Sequence, residues 1–138
     1  IIEKKENIKA CILGSGGASK AIGYTLDILS IPTIYISRNA FEKGNNVISY
    51  TDLTPSIIKE HLLLINTTPV GMYPNTKSYP KISYGSISEN HLLYDLVYNP
   101  EKSEFLKKGE KAKAKIKNGL EMLQIQANRS WEIWNQSI

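Results

Sequence analysis

One cysteine and two histidines are all that this 138-residue chain offers in thiols and imidazoles. A lone Cys11 cannot close an internal disulfide, which excludes a disulfide-stapled scaffold and suits a reducing compartment, so a cytoplasmic location is expected. His61 and His91 stand in no metal-binding spacing, so no metal site is expected. Long apolar runs are missing too. The longest aliphatic stretch, Leu62-Leu63-Leu64-Ile65, falls far short of the about 18 residues of a membrane span. There is no internal repeat. The chain opens with no initiator Met, no charged-then-apolar leader and no cleavage signal. It reads as a piece of a longer protein, cut at a domain boundary.

What is present is ordinary for a single compact domain: 41% hydrophobic and 22% charged residues, which excludes collagen-like, coiled-coil and disordered classes. The net charge of +4 has one address. Seven lysines (102, 107, 108, 111, 113, 115 and 117) and three glutamates lie between Glu101 and Lys117, and the rest of the chain balances. That stretch holds no arginine and one aromatic, Phe105, whereas a nucleic-acid footprint brings both to a basic face. A solvated helix and strand edge is expected, with no nucleic-acid partner.

Apolar patterning alternates between strand and helix. Ile8 to Leu13 is a short apolar run stopped by Gly14, a buried strand. Ala18 to Ser30 carries apolar residues at helical spacing, limited by Pro32, and Thr33-Ile34-Tyr35-Ile36 is a second strand. Residues 39–46 hold a turn or two of helix, and Val47 to Tyr50 a strand. Thr54-Pro55-Ser56 opens a helix that runs to about Glu60. Leu62 to Asn66 is a strand, residues 73–90 a long loop with one short helix, and Leu92 to Tyr98 a strand. Glu101 to Gly109 reads as helix, Ala112 to Lys117 as strand, and residues 119–135 as a long final helix. Alternation with short connections predicts a doubly wound parallel sheet, an α/β fold of three layers.

The first turn carries chemistry. Gly14-Ser15-Gly16-Gly17-Ala18-Ser19 lies between a strand and a helix, the context in which a glycine loop binds a pyrophosphate. Gly14 permits the tight turn and Gly16 lets backbone approach phosphate. The helix then points free N–H groups and its positive dipole end at the anion. The end of the second strand selects the cofactor. An NAD site places an acid there, about 20 residues on, for the ribose 2′-hydroxyl. Here stand Ser37, Arg38 and Asn39, with no acid until Glu42, which favours the 2′-phosphate of NADP.

Four blocks, in order, cover nearly the whole chain: residues 14–21, Asn66-Thr67-Thr68-Pro69-Val70-Gly71-Met72, Tyr94-Asp95-Leu96-Val97-Tyr98-Asn99-Pro100, and Asn118-Gly119-Leu120-Glu121-Met122-Leu123 with Gln126-Ala127. In these blocks the chain resembles the nucleotide-binding domain of the shikimate dehydrogenases. The resemblance implies one NADP-binding Rossmann-like domain over residues 1–138, and NADPH-dependent, reversible reduction of 3-dehydroshikimate to shikimate in aromatic amino-acid biosynthesis. It also implies the site. Gly14, Ser15, Gly16, Gly17 and Ala18 match the pyrophosphate loop, and Ser37, Arg38 and Asn39 the 2′-phosphate clamp. Thr67, Thr68, Leu96, Gly119 and Met122 match cofactor-binding positions, and Tyr98 and Gln126 hydrogen-bond the substrate. The clamp's second arginine is here Glu42 beside Lys43.

The family's catalytic Lys and Asp lie in an N-terminal domain absent from this chain, so no catalytic residue is assigned. Quinate oxidation with NAD and a non-catalytic nucleotide-binding module remain the alternatives. In the final helix, Gly119, Met122, Gln126 and Arg129 share one face, expected to wall a pocket. Leu120, Leu123, Ala127, Trp131 and Trp134 share an apolar one. Leu120 and Leu123 are expected in the core, and Trp131 and Trp134 against the absent domain. Tyr98, Met122 and Gln126 should face outward around the nicotinamide end.

Overall fold

A computed structural model describes residues 7–39, 46–122, 124, 125, 128 and 132. Six strands form one sheet: β1 Ala10–Leu13, β2 Thr33–Ile36, β3 Val47–Ile48, β4 Leu63–Asn66, β5 Leu92–Asp95 and β6 Lys115–Asn118. All neighbours pair in parallel, in the order β3-β2-β1-β4-β5-β6. The strand order therefore reverses at β1, and the loops after β1 and β4 leave the sheet in opposite directions. In open parallel sheets that divergence makes a crevice at the carboxyl edge.

Alternation splits the core in two. Cys11 and Leu13 of β1, with Leu64 and Leu93, face helices α2 (Pro55–Glu60) and α3 (Glu104–Lys111), packing on Ile58, Phe105 and Leu106. Ala10 and Ile12, with Leu63 and Ile65, face α1 (Gly17–Ile28) through Ile22 and Leu26. Buried on both sides, β1 and β4 read as continuous apolar runs, as a central parallel strand must.

Two of the helices, α2 and α3, begin at capping side chains. Thr54 Oγ1 accepts from Ile57 N–H at 3.3 Å ahead of Pro55, and Ser103 Oγ accepts from Leu106 N–H, also at 3.3 Å. Glu104 in the first turn of α3 and Lys108 and Lys111 in its last complement the dipole. Of the lysine-rich stretch, Lys102 pairs with Glu110 at 2.6 Å, Lys107 with Glu104 at 3.3 Å and Lys117 with Glu121 at 2.5 Å. Both histidines serve the fold: His61 donates from Nδ1 to the Ile57 carbonyl at 2.7 Å, and His91 from Nε2 to that of Ile58 at 2.8 Å. Cys11 is fully buried, and burial pushes its thiol up to about 12. No helix of the described residues is long and apolar enough to cross a membrane.

Five expectations need correction. The helix expected from Glu101 starts at Glu104, after its Ser103 cap. The strand expected from Ala112 starts at Lys115, because Ala112 N–H and Lys113 N–H still close the end of α3 on the Lys108 and Glu110 carbonyls. The third strand stops at Ile48, and Tyr50 enters a 3₁₀ turn, Tyr50–Asp52, because Ser49 Oγ accepts from Asp52 N–H at 3.2 Å. The fifth strand stops at Asp95 rather than Tyr98, because the Asp95 carboxylate accepts from Val97 N–H at 3.0 Å and turns the chain. Leu120, expected in the core, is 40% exposed. Gly119 is the residue of this segment in close contact: a Cβ there would strike the Leu96 carbonyl, just past the end of β5. Residues 40–45, Leu123, Gln126, Ala127, Arg129, Trp131 and Trp134 lie outside the described residues.

Among the described residues Phe105 is the largest fully buried side chain, and it joins α3 to the sheet. Phe105→Ala should lower the unfolding free energy by about 3–5 kcal/mol in a urea titration; a loss under about 1 kcal/mol would contradict this core assignment.

Candidate functional site

The chain leaves β1 through Gly14, at φ +121°, with its N–H donating to the Ile36 carbonyl at 2.9 Å. Glycine is required here twice over. The conformation disfavours side chains, and a Cβ would also run into the Thr67 hydroxyl and stand 3.2 Å from Thr68 Cγ2. Gly16 and Gly17 are different. A Cβ on either would meet no atom within 4 Å, so nothing in the protein's own packing calls for glycine there. Gly16 caps α1 with no side-chain hydrogen bond, and the first turn holds no acid. The N-terminus of a twelve-residue helix thus opens onto free space, an arrangement suited to an anion.

That space belongs to a groove of about 640 Å³, where Gly14, Ser15 and Gly16 meet Ser37, Arg38 and Asn39 from the end of β2. Ser37 is buried and knits the two turns together. Its Oγ lies 3.0 Å from Ser15 Oγ and accepts from Asn39 N–H at 3.2 Å, while its own N–H donates to the Ile48 carbonyl at 3.0 Å. Arg38 lines the groove and is exposed. Its charge reaches Tyr50, whose phenol is raised by burial and by Cys11 and pulled back by Arg38. Among the described residues no carboxylate lines the groove.

Thr67 and Thr68 form the opposite wall and also line a second groove of about 440 Å³, with Ala18, Met72, Leu96 and Tyr98. Thr67 is fastened to β1 twice, its hydroxyl and N–H donating to the Leu13 carbonyl at 2.7 and 2.9 Å. Tyr98 is 47% exposed at this groove. Gly119 packs against Leu96 and so borders the same end. Of the remaining candidates, Gly17 opens α1, Met122 is half-buried and lines neither groove, and Gln126 lies outside the described residues.

A sealed polar network lies beneath both grooves. Asn66, Asp95 and Ser103 are buried. Asn66 Nδ2 donates to Asp95 Oδ1 at 3.1 Å and to the Val70 carbonyl at 3.3 Å, and Asn66 Oδ1 accepts from the Thr68 hydroxyl at 2.6 Å. Ser103 Oγ donates to Asp95 Oδ2 at 2.5 Å. Burial holds the Asp95 carboxyl above its ordinary range, against the lowering effect of hydrogen bonds from Ser103, Val97 and Asn66. This network was not singled out from the sequence. Its signal was a polar residue closing an apolar strand, in Leu63-Leu64-Ile65-Asn66 and Leu92-Leu93-Tyr94-Asp95. The segment Tyr79-Pro80-Lys81, which completes the first groove, carries no motif.

Because the folded state holds the Asp95 proton more tightly than the unfolded state does, this group stabilises the fold more as pH falls from neutral toward its ordinary value of 3.8. Asp95→Asn removes that term. In urea titrations the stability difference between wild type and Asp95→Asn should shift toward the wild type on acidification, by at most about 1.4 kcal/mol per pH unit. A difference that stays constant or moves the other way would rule the raised carboxyl out.

No family model matches the chain. Among curated proteins, the shikimate dehydrogenase (NADP(+)) of Methanococcus maripaludis strain S2 is 38% identical over 142 residues, covering 93% of this chain and 50% of the relative. Among solved structures, a shikimate dehydrogenase in complex with NADP+ superposes with a TM-score of 0.79 at 26% identity, over 96% of this chain and 50% of that one. The Thermus thermophilus enzyme, in complex with NADP(H) and shikimate, gives 0.76 at 25% identity, over 91% and 48%. The chain spans about half the length of the curated relatives it matches. On sequence identity and superposition alike, the chain is a homologue of the NADP-dependent shikimate dehydrogenases and corresponds to about half of such a protein.

Proposed function

We propose that this chain is the NADP-binding domain of a cytoplasmic shikimate dehydrogenase, which reversibly reduces 3-dehydroshikimate to shikimate together with an N-terminal domain that this chain lacks. The observation that carries the reading is the groove at the strand-order reversal, with an arginine and no acid at the end of β2. The open space before Gly16 and Gly17 and the uncapped start of α1 fit a pyrophosphate, held by the backbone from Gly14 to Ala18. Ser37, Arg38 and Asn39 hold the 2′-phosphate; Ser37 positions the turn while Arg38 supplies charge and donors. Thr67 and Thr68 wall both grooves, and Leu96, with Gly119 packed against it, marks the nicotinamide end at the second groove; Met122, which lines neither groove, follows Gly119 in the chain as the outermost cofactor-binding residue. Bound there, the cofactor supplies or accepts the hydride. Tyr98, exposed at the second groove, and Gln126 donate hydrogen bonds to the substrate's hydroxyl-bearing face. Asp95 is sealed and its oxygens are occupied, so it does no acid–base work. The proton donor at the reacting oxygen comes from the other domain.

Calorimetric titration of the chain tests this. NADP should bind more tightly than NAD, and Arg38→Ala should cost NADP alone about 1.5–3 kcal/mol. Tighter binding of NAD would overturn the cofactor assignment. Gly16→Ala should weaken both cofactors while leaving the melting temperature nearly unchanged, since its Cβ meets nothing in the protein itself. Added shikimate and NADP should yield no NADPH from the pure chain; sustained turnover would refute the division of labour.

A further inference from the structure

A phosphate monoester carries about −1.5 to −2 charge at neutral pH, and the single charge of Arg38 balances only part of it. Among the described residues one other cation lines the same groove. Lys81 reaches it from the loop between β4 and β5, far from Arg38 in the chain. We propose that Lys81 is a second specificity-determining cation of this groove and acts with Arg38 to discriminate a 2′-phosphorylated adenosine from an unphosphorylated one. This inference rests on the NADP reading and adds to it a residue from another segment.

The loop that carries Lys81 is built in place. Its ammonium sits 3.8 Å from the centroid of the Tyr79 ring, a cation–π contact that limits the freedom of an otherwise exposed side chain. Tyr79 meets Tyr84 edge-on at 5.8 Å, and Tyr84 meets Phe105 at 6.4 Å, so the stack is rooted in the core of α3. Pro80 is buried, and its carbonyl accepts the Tyr84 hydroxyl at 2.6 Å. Burial raises that phenol, which keeps the donor protonated. Lys108 places a second ammonium 4.3 Å from the Tyr79 centroid, adding positive potential behind Lys81. Among the described residues no carboxylate pairs with Lys81, and none lines the groove. Its charge is therefore available to a ligand. The pyrophosphate position is already served by the free N–H groups of α1, whereas among the described residues the end of β2 offers one cation and a serine hydroxyl engaged with Ser15 and Asn39.

The test uses adenosine 2′,5′-bisphosphate and AMP, which differ only in the 2′-phosphate, titrated calorimetrically into the 138-residue chain. The wild type should prefer the bisphosphate. Lys81→Gln should weaken the bisphosphate about three- to tenfold and leave AMP within about twofold, while Lys81→Arg should restore the preference. Melting curves confirm that each variant is folded. If Lys81→Gln keeps the wild-type ratio, or weakens both ligands equally, the assignment of Lys81 is wrong. If Arg38→Ala collapses the ratio in the same series, the NADP reading stands without Lys81. A wild type with no preference for the bisphosphate overturns both.

Discussion

Asn66 and Asp95 lie side by side in the last row of the sheet, joined by a 3.1 Å hydrogen bond and cut off from water. The registers place Ile48, Ile36, Leu13, Asn66, Asp95 and Asn118 opposite one another, so all six strands end on one line. The row changes character halfway along. Its apolar half ends strands beneath the first groove, while its polar half holds the turns that follow: Asn66 takes Thr68, Asp95 takes Val97, and Asn118 accepts from Leu120 N–H at 3.1 Å. A buried carboxylate is tolerable only if its lone pairs are filled, and here three donors from three segments fill them. Removing any of the three would leave an unpaired polar group under the floor of the site.

That floor explains a division among the glycines and threonines above it. Gly14 and Thr67 answer to each other: the tight turn after β1 exists because Thr67 sits where a Cβ would be and is bonded back to Leu13. Gly16 and Gly17 answer to nothing inside the protein, and the space they leave is the space a phosphate needs. Thr67 and Thr68 then serve both grooves, so one strand end, fastened to β1, sets the position of the two together. Rigidity of this kind fixes the spacing of two subsites before any ligand binds.

Much of this was legible in the residue order. The alternation of apolar runs and helical periods predicted the doubly wound parallel sheet, and Thr33–Ile36 and Pro55–Glu60 appeared within the expected bounds. The glycine turn and Ser37-Arg38-Asn39 were legible because their chemistry is local: a turn, a helix start, a charge at a strand end. Tyr98 and Leu120 were misread for the opposite reason. The apolar run from Leu92 to Tyr98 continues past the strand, and only the bond from Val97 to Asp95 shows where the chain turns. Leu120 fits an apolar stripe, yet in the fold it is Gly119 that lies against the Leu96 backbone while Leu120 is exposed.

The residue order alone therefore settled the layers, the glycine turn between strand and helix and the cationic end of β2, since each depends on residues close together in the chain. It could not settle which distant segments share a wall. Lys81 meets the same groove as Arg38, Thr68 serves two grooves, and Ser103 closes the network on Asp95. These meetings follow from strand order and register, in which residues tens of positions apart are brought within hydrogen-bond reach by the packing of the sheet, and no local pattern encodes them.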